Sequence, residues 1–183
     1  MTGQHEIQRG PTIGTEMITV LLAEDHSFVL HGLCSLLEAA EDIQVVATAS
    51  NGIEAIAQVR VSCPDVAVID MSMPLMGGVD VIQHLRVHCP NSRGMILSLF
   101  DYPEYVRHAL EAGALGYVLK DAVSEDLIAA VNALSKGNRY FTKKISWIAE
   151  QFFQSSDSIS FSDDSLTSLS EQQTTSGAPE AKH

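Results

Sequence analysis

Polar and charged side chains stand at the ends of four short apolar runs in this sequence. Glu24 and Asp25 follow the first run, and Asp70 follows the third. Ser98 lies near the end of the fourth run, and Lys120 follows the fifth. If the runs are parallel strands of one open sheet, their carboxyl ends meet at one edge, where the active crevice of such sheets lies. Three carboxylates, one hydroxyl and one ammonium group would then share a single crevice.

A group of three crowded carboxylates favours the binding of a cation. Without one, the acids would repel each other and some would be pushed toward protonation. Lys120 and one divalent ion would together balance the three formal negative charges. A small, partly open, all-oxygen site suits Mg²⁺, an ion that supports phosphoryl transfer. Because a carboxylate can itself be the nucleophile and form an aspartyl phosphate, the pattern predicts Mg²⁺-dependent phosphate chemistry on Asp70.

Each of these residues also has an ordinary structural explanation when it is taken alone. A single Asp at a strand end commonly forms a turn or caps a helix. Glu24 and Asp25 could cap a helix that starts near Ser27, and Lys120 could be a solvated charge. The functional interpretation depends on all five residues standing at the same end of their strands.

The elements that must position these residues are strands alternating with helices. The apolar runs are rich in Val and Ile, which is typical of strands buried on both faces of a parallel sheet; they are Ile18–Ala23, Val45–Ala49, Val66–Ile69, Met95–Leu99 and Gly116–Leu119. Stripes at helical spacing lie between and after them: Val29, Leu33, Leu36, Leu37 and Ala40; Val79, Ile82 and Leu85; and Leu127, Ile128, Val131 and Leu134. Pro103 predicts the first turn of a further helix, and Gly113 its end. This alternation predicts a doubly wound α/β sandwich.

Composition divides the chain into four segments. Residues 1–16 have no periodicity and are predicted to be a disordered leader, and residues 17–142 hold the α/β domain. Residues 143–154 are predicted to form an extra helix. Residues 155–183 are predicted to be a Ser-rich disordered linker or tail, since nine serines and three threonines fall within 155–176.

The extra helix has its own apolar stripe, formed by Ile145, Ile148, Ala149 and Phe152. Thr142 could cap its start. Trp147 points away from the stripe, so we expect it to be exposed or covered by a partner.

The chain is acidic, with 23 Asp and Glu residues, 11 Lys and Arg residues and a net charge of −12. This charge argues against general binding to nucleic acid or to anionic lipid. No apolar run approaches the ~20 residues of a membrane-spanning helix, and no signal peptide is recognisable. Cys34, Cys63 and Cys89 lack metal-ligand spacing, so we expect reduced core thiols in a cytoplasmic protein.

Several motifs stand in order along the chain. They are Val20-Leu-Leu-Ala-Glu-Asp-His26 with Gly32-Leu33; Pro64-Asp-Val-Ala-Val-Ile-Asp-Met-Ser-Met-Pro74 with Gly77-Gly78; Ser98; and Pro103-Glu-Tyr-Val with Ala109-Leu-Glu-Ala-Gly-Ala-Leu-Gly-Tyr-Val-Leu-Lys-Asp121. Together they resemble the receiver domain of two-component response regulators of the NarL/FixJ (LuxR-type) family. The resemblance covers about residues 18–142. It implies a flavodoxin-like fold with a five-stranded parallel sheet in the order 2-1-3-4-5 and helices on both faces.

The resemblance also implies a role for each site residue. Asp70 would accept a phosphoryl group from a phosphohistidine on a sensor histidine kinase or phosphotransfer protein. Asp25, Asp70 and the backbone carbonyl of Ser72 would bind Mg²⁺ directly, and Glu24 would act through water. Glu24 stands where many members have Asp, which should preserve that role.

A switch and an output face are implied in the same way. Lys120 would pair with the phosphoryl group, and Ser98 would hydrogen-bond to it and let Tyr117 turn inward. Taken alone, Tyr117 is more often a core aromatic residue. The output face would lie around the fourth helix, the fifth strand and the fifth helix, near Tyr102, Tyr105, Arg107 and Tyr117. Asp121 replaces a common proline, so the bond before it is trans unless the fold enforces a cis form that costs about 3 kcal/mol.

Three functions remain open at this point. The first is a non-enzymatic phosphorylation switch that controls dimerisation or a partner. The second is the receiver portion of a LuxR-type transcriptional regulator. Asp164-Ser-Leu-Thr-Ser-Leu-Ser-Glu-Gln172 resembles the linker and first residues of a helix-turn-helix domain, the alternative being a chance likeness within a Ser-rich tail. No recognition helix follows, so we expect no DNA binding by this chain alone. The third, a phosphatase or nucleotide-binding enzyme, is disfavoured because no glycine-rich phosphate loop is present and Ser72 breaks an Asp-x-Asp pattern.

Overall fold

The computed structural model describes residues 17–160 of the chain. Its strands form one parallel sheet in the order β2-β1-β3-β4-β5-β6. Their bounds are β1 (Ile18–Ala23), β2 (Ile43–Ala49), β3 (Val66–Asp70), β4 (Arg93–Ser98), β5 (Gly116–Leu119) and β6 (Tyr140–Phe141). The predicted doubly wound fold with order 2-1-3-4-5 is confirmed. The two-residue strand β6 extends the predicted five-stranded sheet to six, and it is too short to leave a periodic signal in the sequence.

Six α-helices connect and follow these strands. They are α1 (Ser27–Glu38), α2 (Gly52–Ser62), α3 (Gly78–His88), α4 (Pro103–Ala112), α5 (Val123–Ser135) and α6 (Ser146–Ser160). Among residues 17–160, no helix is long and apolar enough to cross a membrane. Pro103 starts α4 as predicted, and Gly113 ends it with a left-handed φ of 102°, which glycine adopts without steric penalty.

The helices cover both faces of the sheet. Val20 and Leu22 of β1 pack in the cluster that contains α1 and α5, whereas Leu21 and Ala23 pack in the cluster that contains α2, α3, α4 and α6. This alternation follows from the two-residue period of a strand. All five residues of β3 are buried, as expected for a central parallel strand.

The predicted stripes form the buried faces of the helices, with two exceptions in the first stripe. Val79, Ile82 and Leu85 are buried in α3, in agreement with the prediction. Val29 is instead 37% exposed, and Ala40 lies beyond the end of α1 at Glu38. The helical spacing therefore predicted α1 and its buried residues Leu33 and Leu37 correctly, but the apolar face is narrower than predicted.

The C-terminal region differs from the prediction in two details. Thr142 does not cap a helix with its side chain; its hydroxyl donates to Asp126 Oδ2 at 2.7 Å, and a short 3₁₀ turn, Lys143–Ile145, precedes α6. Helix α6 continues to Ser160, six residues beyond the predicted end at residue 154. The predicted leader, residues 1–16, and residues 161–183 of the predicted tail lie outside the described residues.

Two cysteines predicted to be reduced form a disulfide. Cys63 and Cys89 follow the last residues of α2 and α3, and their Cα atoms are 5.5 Å apart. The expectation of three reduced thiols is therefore wrong for this pair and correct only for Cys34, which is free. The two cysteines are 26 positions apart, and only the packing of α2 beside α3 brings them together.

Breaking the Cys63–Cys89 bridge should destabilise the domain. By the chain-entropy argument, a loop of this length stabilises the folded state by about 3 kcal/mol. We expect urea unfolding with a reductant, or of the variant Cys63→Ser, to show a loss of about that size. Cys34→Ser should stay sensitive to reductant, because Cys34 is outside the bridge. A wild-type stability that is equal with and without reductant would contradict this prediction.

Candidate functional site

Lys120 joins two carboxylates at the carboxyl edge of the sheet. Its Nζ atom lies 2.7 Å from Glu24 Oε2 and 2.9 Å from Asp70 Oδ1. The Glu24 and Asp70 side chains are 0% and 5% exposed, and the Lys120 side chain is 17% exposed. The structure thus brings together groups from the ends of β1, β3 and β5, as the sequence predicted.

Burial and the neighbouring opposite charge have opposite effects on the pKa values of Asp70 and Lys120. Burial raises the pKa of the Asp70 carboxyl above its ordinary value, and the hydrogen bond and charge of Lys120 offset part of that rise. The charges of Glu24 and Asp25 raise the pKa of Asp70 further. Burial alone would lower the pKa of Lys120, but its hydrogen bonds to Glu24 and Asp70 and the negative charges of these two residues together outweigh burial, so the pKa is raised.

His26 is a site residue to which sequence reasoning assigned no role. Its Nδ1 atom lies 3.1 Å from Glu24 Oε1 and 2.8 Å from Asp25 Oδ1, although the ring is largely exposed. The hydrogen bond to Glu24 and then the charge of Asp25 raise the pKa of His26. The only sequence signal for this contact is that His26 directly follows the acidic pair.

The acidic residues form a set of donors that fits a divalent cation. Asp25 Oδ1 is a buried carboxylate oxygen, and the nitrogen beside it is His26 Nδ1, 2.8 Å away. Glu24, Asp25 and His26 each place one ligand atom within 4.8 Å of the others. The carboxylates of Glu24, Asp25 and Asp70 outnumber the one ammonium group of Lys120. Mg²⁺ prefers oxygen ligands such as these carboxylates. The residues present therefore fit Mg²⁺.

The loop after β3 is folded tightly against Asp70. Gly78, the first residue of α3, lies so close that a Cβ atom there would collide with the backbone carbonyl of Asp70. Its N–H donates to Met71 O at 3.0 Å. Leu75 has a positive φ of 68°, which is rare for a residue with a side chain. Ser72 lies within this constrained loop, two residues beyond Asp70, and is exposed.

Ser98, Phe100 and Tyr117 form a chain of hydrogen bonds next to the site. Ser98 follows the residue that pairs with Asp70 across β3 and β4, and its Oγ accepts the Phe100 N–H at 3.0 Å. Tyr117 is fully buried, and its hydroxyl donates to Phe100 O at 2.7 Å. Burial raises the pKa of Tyr117 to about 12. Tyr117 is therefore already turned inward and is part of the core in this structure.

Two of the four residues predicted for the output face, Tyr105 and Arg107, lie on the exposed side of α4, and Tyr102 directly precedes the helix. Tyr102, Tyr105 and Arg107 are exposed, and Phe100 stacks on Tyr105 with ring centroids 4.8 Å apart. Tyr117 does not join them at the surface. The edge of β5 is covered by β6, and α6 packs against α4, so part of the predicted face is covered by the chain itself.

The Lys120–Asp121 peptide bond is trans, because the described residues contain no cis peptide bond. Lys120 therefore reaches the site without a cis peptide bond before Asp121.

A flavodoxin-like sheet with a buried aspartate, a bridging lysine and an acidic pair at its carboxyl edge defines a phosphoryl-accepting receiver. The chain belongs to the response regulator receiver domain family, whose model matches residues 20–132. It is a receiver of the NarL/LuxR type, and phosphorylation by a histidine kinase is the general function of this family. Receiver domains generally bind Mg²⁺ at the acidic site and are generally not true enzymes.

The chain is similar to several bacterial regulators, one of which has been solved in complex with DNA. The oxygen regulatory protein NreC of Staphylococcus epidermidis is 35% identical over 158 residues, which are 84% of this chain and 72% of NreC. A LuxR-family response regulator from Aurantimonas is 31% identical with a TM-score of 0.70, covering 74% of this chain and 98% of that one. RcsB, solved as two dimers bound to two parallel DNAs, is 28% identical with a TM-score of 0.67, covering 74% and 69%.

Asp70→Asn should stabilise the protein at neutral pH when divalent cations are chelated. The pKa of Asp70 is raised by folding, so the folded state binds this proton more tightly than the unfolded chain does, and ionisation at higher pH lowers stability. The gain from the variant should be full above the folded pKa and should disappear as pH falls to the ordinary value of 3.8.

Urea unfolding of both proteins in chelator, at neutral and acidic pH, measures this difference. Asp80→Asn, which changes an exposed aspartate on α3, is the matched control and should show no such dependence. An Asp70→Asn variant that is less stable than the parent at neutral pH would falsify the prediction.

Proposed function

We propose that Asp70 is the phosphoacceptor of this receiver. The observation that carries the proposal is the buried Asp70 carboxylate, whose Oδ1 lies 2.9 Å from Lys120 Nζ at the carboxyl end of β3. The donor would be the phosphohistidine of a sensor histidine kinase or phosphotransfer protein. The P–N bond of the donor breaks, its electron pair stays on the imidazole nitrogen, and a P–O bond forms to Asp70.

The neighbouring residues prepare Asp70 for this transfer. Lys120 offsets part of the rise that burial causes in the pKa of Asp70, which favours the carboxylate form, and would then pair with the phosphoryl oxygens. Asp25, Asp70 and the backbone carbonyl of Ser72 would hold Mg²⁺, with Glu24 beside them. When bound, the ion would neutralise charge on the transferring phosphoryl group. The close grouping of the Glu24 and Asp25 carboxylate oxygens supports this assignment.

The proposed switch begins at Ser98. Its hydroxyl donates to a phosphoryl oxygen on Asp70, and the loop that follows moves with it. Because Phe100 is bonded to both Ser98 and Tyr117, this movement reaches the buried tyrosine. Tyr102, Tyr105 and Arg107 then present the changed surface to a second copy or a partner. A local charge change is thereby converted into a change of packing.

A second candidate function is the receiver portion of a DNA-binding transcriptional regulator. The similarity to NreC over 72% of that protein, and to RcsB dimers on DNA, favours it. In that case the phosphorylated receiver would act through dimerisation of a DNA-binding protein. The two candidates share the chemistry at Asp70.

Incubation with acetyl phosphate and Mg²⁺ should add one phosphoryl group to the protein. Intact-mass analysis measures the adduct, which should be absent in Asp70→Asn and should not form in chelator, since the ion is needed to neutralise the transferred group. Asp80→Asn makes the same chemical change at an exposed position and should be phosphorylated normally. No adduct in the parent, or an equal adduct in Asp70→Asn, would refute the proposal.

Mg²⁺ should raise the thermal stability of the protein through Asp25. A ligand that binds only the folded state stabilises it in proportion to the logarithm of its concentration. We expect a rise in Tm with Mg²⁺ that is lost in Asp25→Asn and retained in Asp80→Asn. Equal Mg²⁺ responses in the three proteins would show that the ion binds elsewhere.

A further inference from the structure

Two histidines stand one helical turn apart near the end of α3. His84 and His88 are four positions apart, and side chains at this spacing lie on the same face of a helix. Their rings are stacked, with an interplanar angle of 4° and centroids 5.9 Å apart. His88 is exposed and His84 is half-buried, so a solute can reach both rings.

Backbone contacts fix which ring nitrogen each histidine can offer to a ligand. His84 Nδ1 lies 2.9 Å from Asp80 O, and His88 Nδ1 lies 2.9 Å from His84 O. A carbonyl oxygen only accepts hydrogen bonds, so Nδ1 of each ring carries a hydrogen. In the neutral imidazole, Nε2 then holds the free lone pair. Metal-ligating histidines are held in this form, with one ring N–H on a backbone carbonyl or a carboxylate.

Two imidazoles at this spacing can share one metal ion. A pair of histidines four positions apart on one helix supplies two of the zinc ligands in a large class of metalloproteases. With Zn–N bonds of about 2.0–2.1 Å, the two Nε2 atoms must lie within about 4 Å of each other. The stacked rings must tilt toward each other to reach this distance, which the broad terminal torsion of a histidine side chain allows.

The electrostatic surroundings of the pair favour a cation. His88 is the last residue of α3, where the backbone carbonyls form the negative end of the helix dipole. The net charge of −12 also attracts cations to the chain as a whole. Arg86 is the other basic residue of this last turn, and its Nη1 atom donates to Ala112 O at the end of α4.

The type of donor atom selects the class of ion. Imidazole nitrogen suits Zn²⁺, Cu²⁺ and Ni²⁺, whereas Mg²⁺ prefers oxygen ligands. Within residues 17–160, the only group of three candidate ligands within 4.8 Å of one another is Glu24, Asp25 and His26. The histidine pair therefore supplies two ligands, and water would fill the other positions around the ion.

We propose that His84 and His88 bind one late first-row divalent transition-metal ion, such as Zn²⁺, through their two Nε2 atoms. The site is separate from the acidic site, because α3 begins beside Asp70 at Gly78 and extends about 15 Å to His88. Binding at this site does not depend on phosphorylation and goes beyond the proposed function. The pair exists only when α3 is helical, so the ion stabilises the folded protein.

Calorimetric titration of the full chain with Zn²⁺ tests the proposal. The titration is made in excess Mg²⁺, which occupies oxygen ligands, and in the Cys34→Ser background, because a free thiol can itself bind Zn²⁺. We expect His84→Gln and His88→Gln each to weaken Zn²⁺ binding about tenfold or more. The reason is that the second imidazole binds an ion already held by the first, so its loss removes an intramolecular contact.

His31→Gln is the matched control for the loss of one helical histidine. His31 Nδ1 lies 2.6 Å from Ser27 O, as in the pair, but the residues four positions away are serines, Ser27 and Ser35. This variant should bind Zn²⁺ like the parent. All three variants should still take up a phosphoryl group from acetyl phosphate, which shows that they are folded.

The double variant His84→Gln/His88→Gln shows whether the two histidines hold the same ion. If they do, either substitution already removes the shared coordination, and the second should add little to the loss. Ni²⁺, a paramagnetic ion with the same preference for imidazole, then locates the site. It should broaden the amide NMR signals at the end of α3 in the parent and not in the double variant.

Three outcomes would overturn the proposal. Equal Zn²⁺ affinity in the parent, His84→Gln and His88→Gln would show that the pair holds no ion. Losses that add in the double variant would show two separate weak contacts instead of one site. Zn²⁺ binding that is lost in Asp25→Asn but kept in both histidine variants would place the ion at the carboxyl edge. None of these results affects the proposed function, which is tested by the adduct on Asp70.

Discussion

The structure depends on one buried ionic contact, the ammonium group of Lys120 held between Glu24 and Asp70. Burying two carboxylates beside a third is unfavourable unless a cation is in direct contact with them. Lys120 provides that cation, and it ties together the ends of β1, β3 and β5. Removing it would leave the fully buried Glu24 with only the exposed His26 beside it, and the removal of one partner of a buried ion pair destabilises a protein by about 3–5 kcal/mol. The same contact offsets part of the rise that burial causes in the pKa of Asp70, and so favours the carboxylate form that a phosphoacceptor needs.

The two edges of the sheet differ in what they contribute. Helices α2 and α3 end at the edge opposite the site, where the Cys63–Cys89 disulfide joins them. At the carboxyl edge, the loops after β3 and β4 hold the site, and the exposed ion pair between Asp101 and Lys144 extends it toward α6. The edge joined by the disulfide is the more rigid of the two. The carboxyl edge is held by hydrogen bonds and ion pairs, so its loops are able to rearrange.

Packing around Tyr117 explains how a charge change at Asp70 could reach the surface. The side chain of Tyr117 is bonded to the loop after β4, and its backbone carbonyl is bonded to Thr142. One buried residue thus contacts both the loop after β4 and Thr142, which follows β6. Close-packed cores pass on displacements because they contain no space in which to absorb them.

The sequence by itself determined the strands, most helix faces and the position of the five candidate site residues at or just after strand ends, because periodicity and strand ends are local properties of the chain. Only the tertiary structure decided the contacts between distant elements. Strand β6 is too short for a period, the disulfide joins two helices 26 positions apart, and the pair Asp101–Lys144 joins a loop to a later turn. The contact of His26 with both acids likewise depends on the turn after β1. Such pairings follow from how the packed layers bring side chains together, and no local pattern of residues specifies that arrangement.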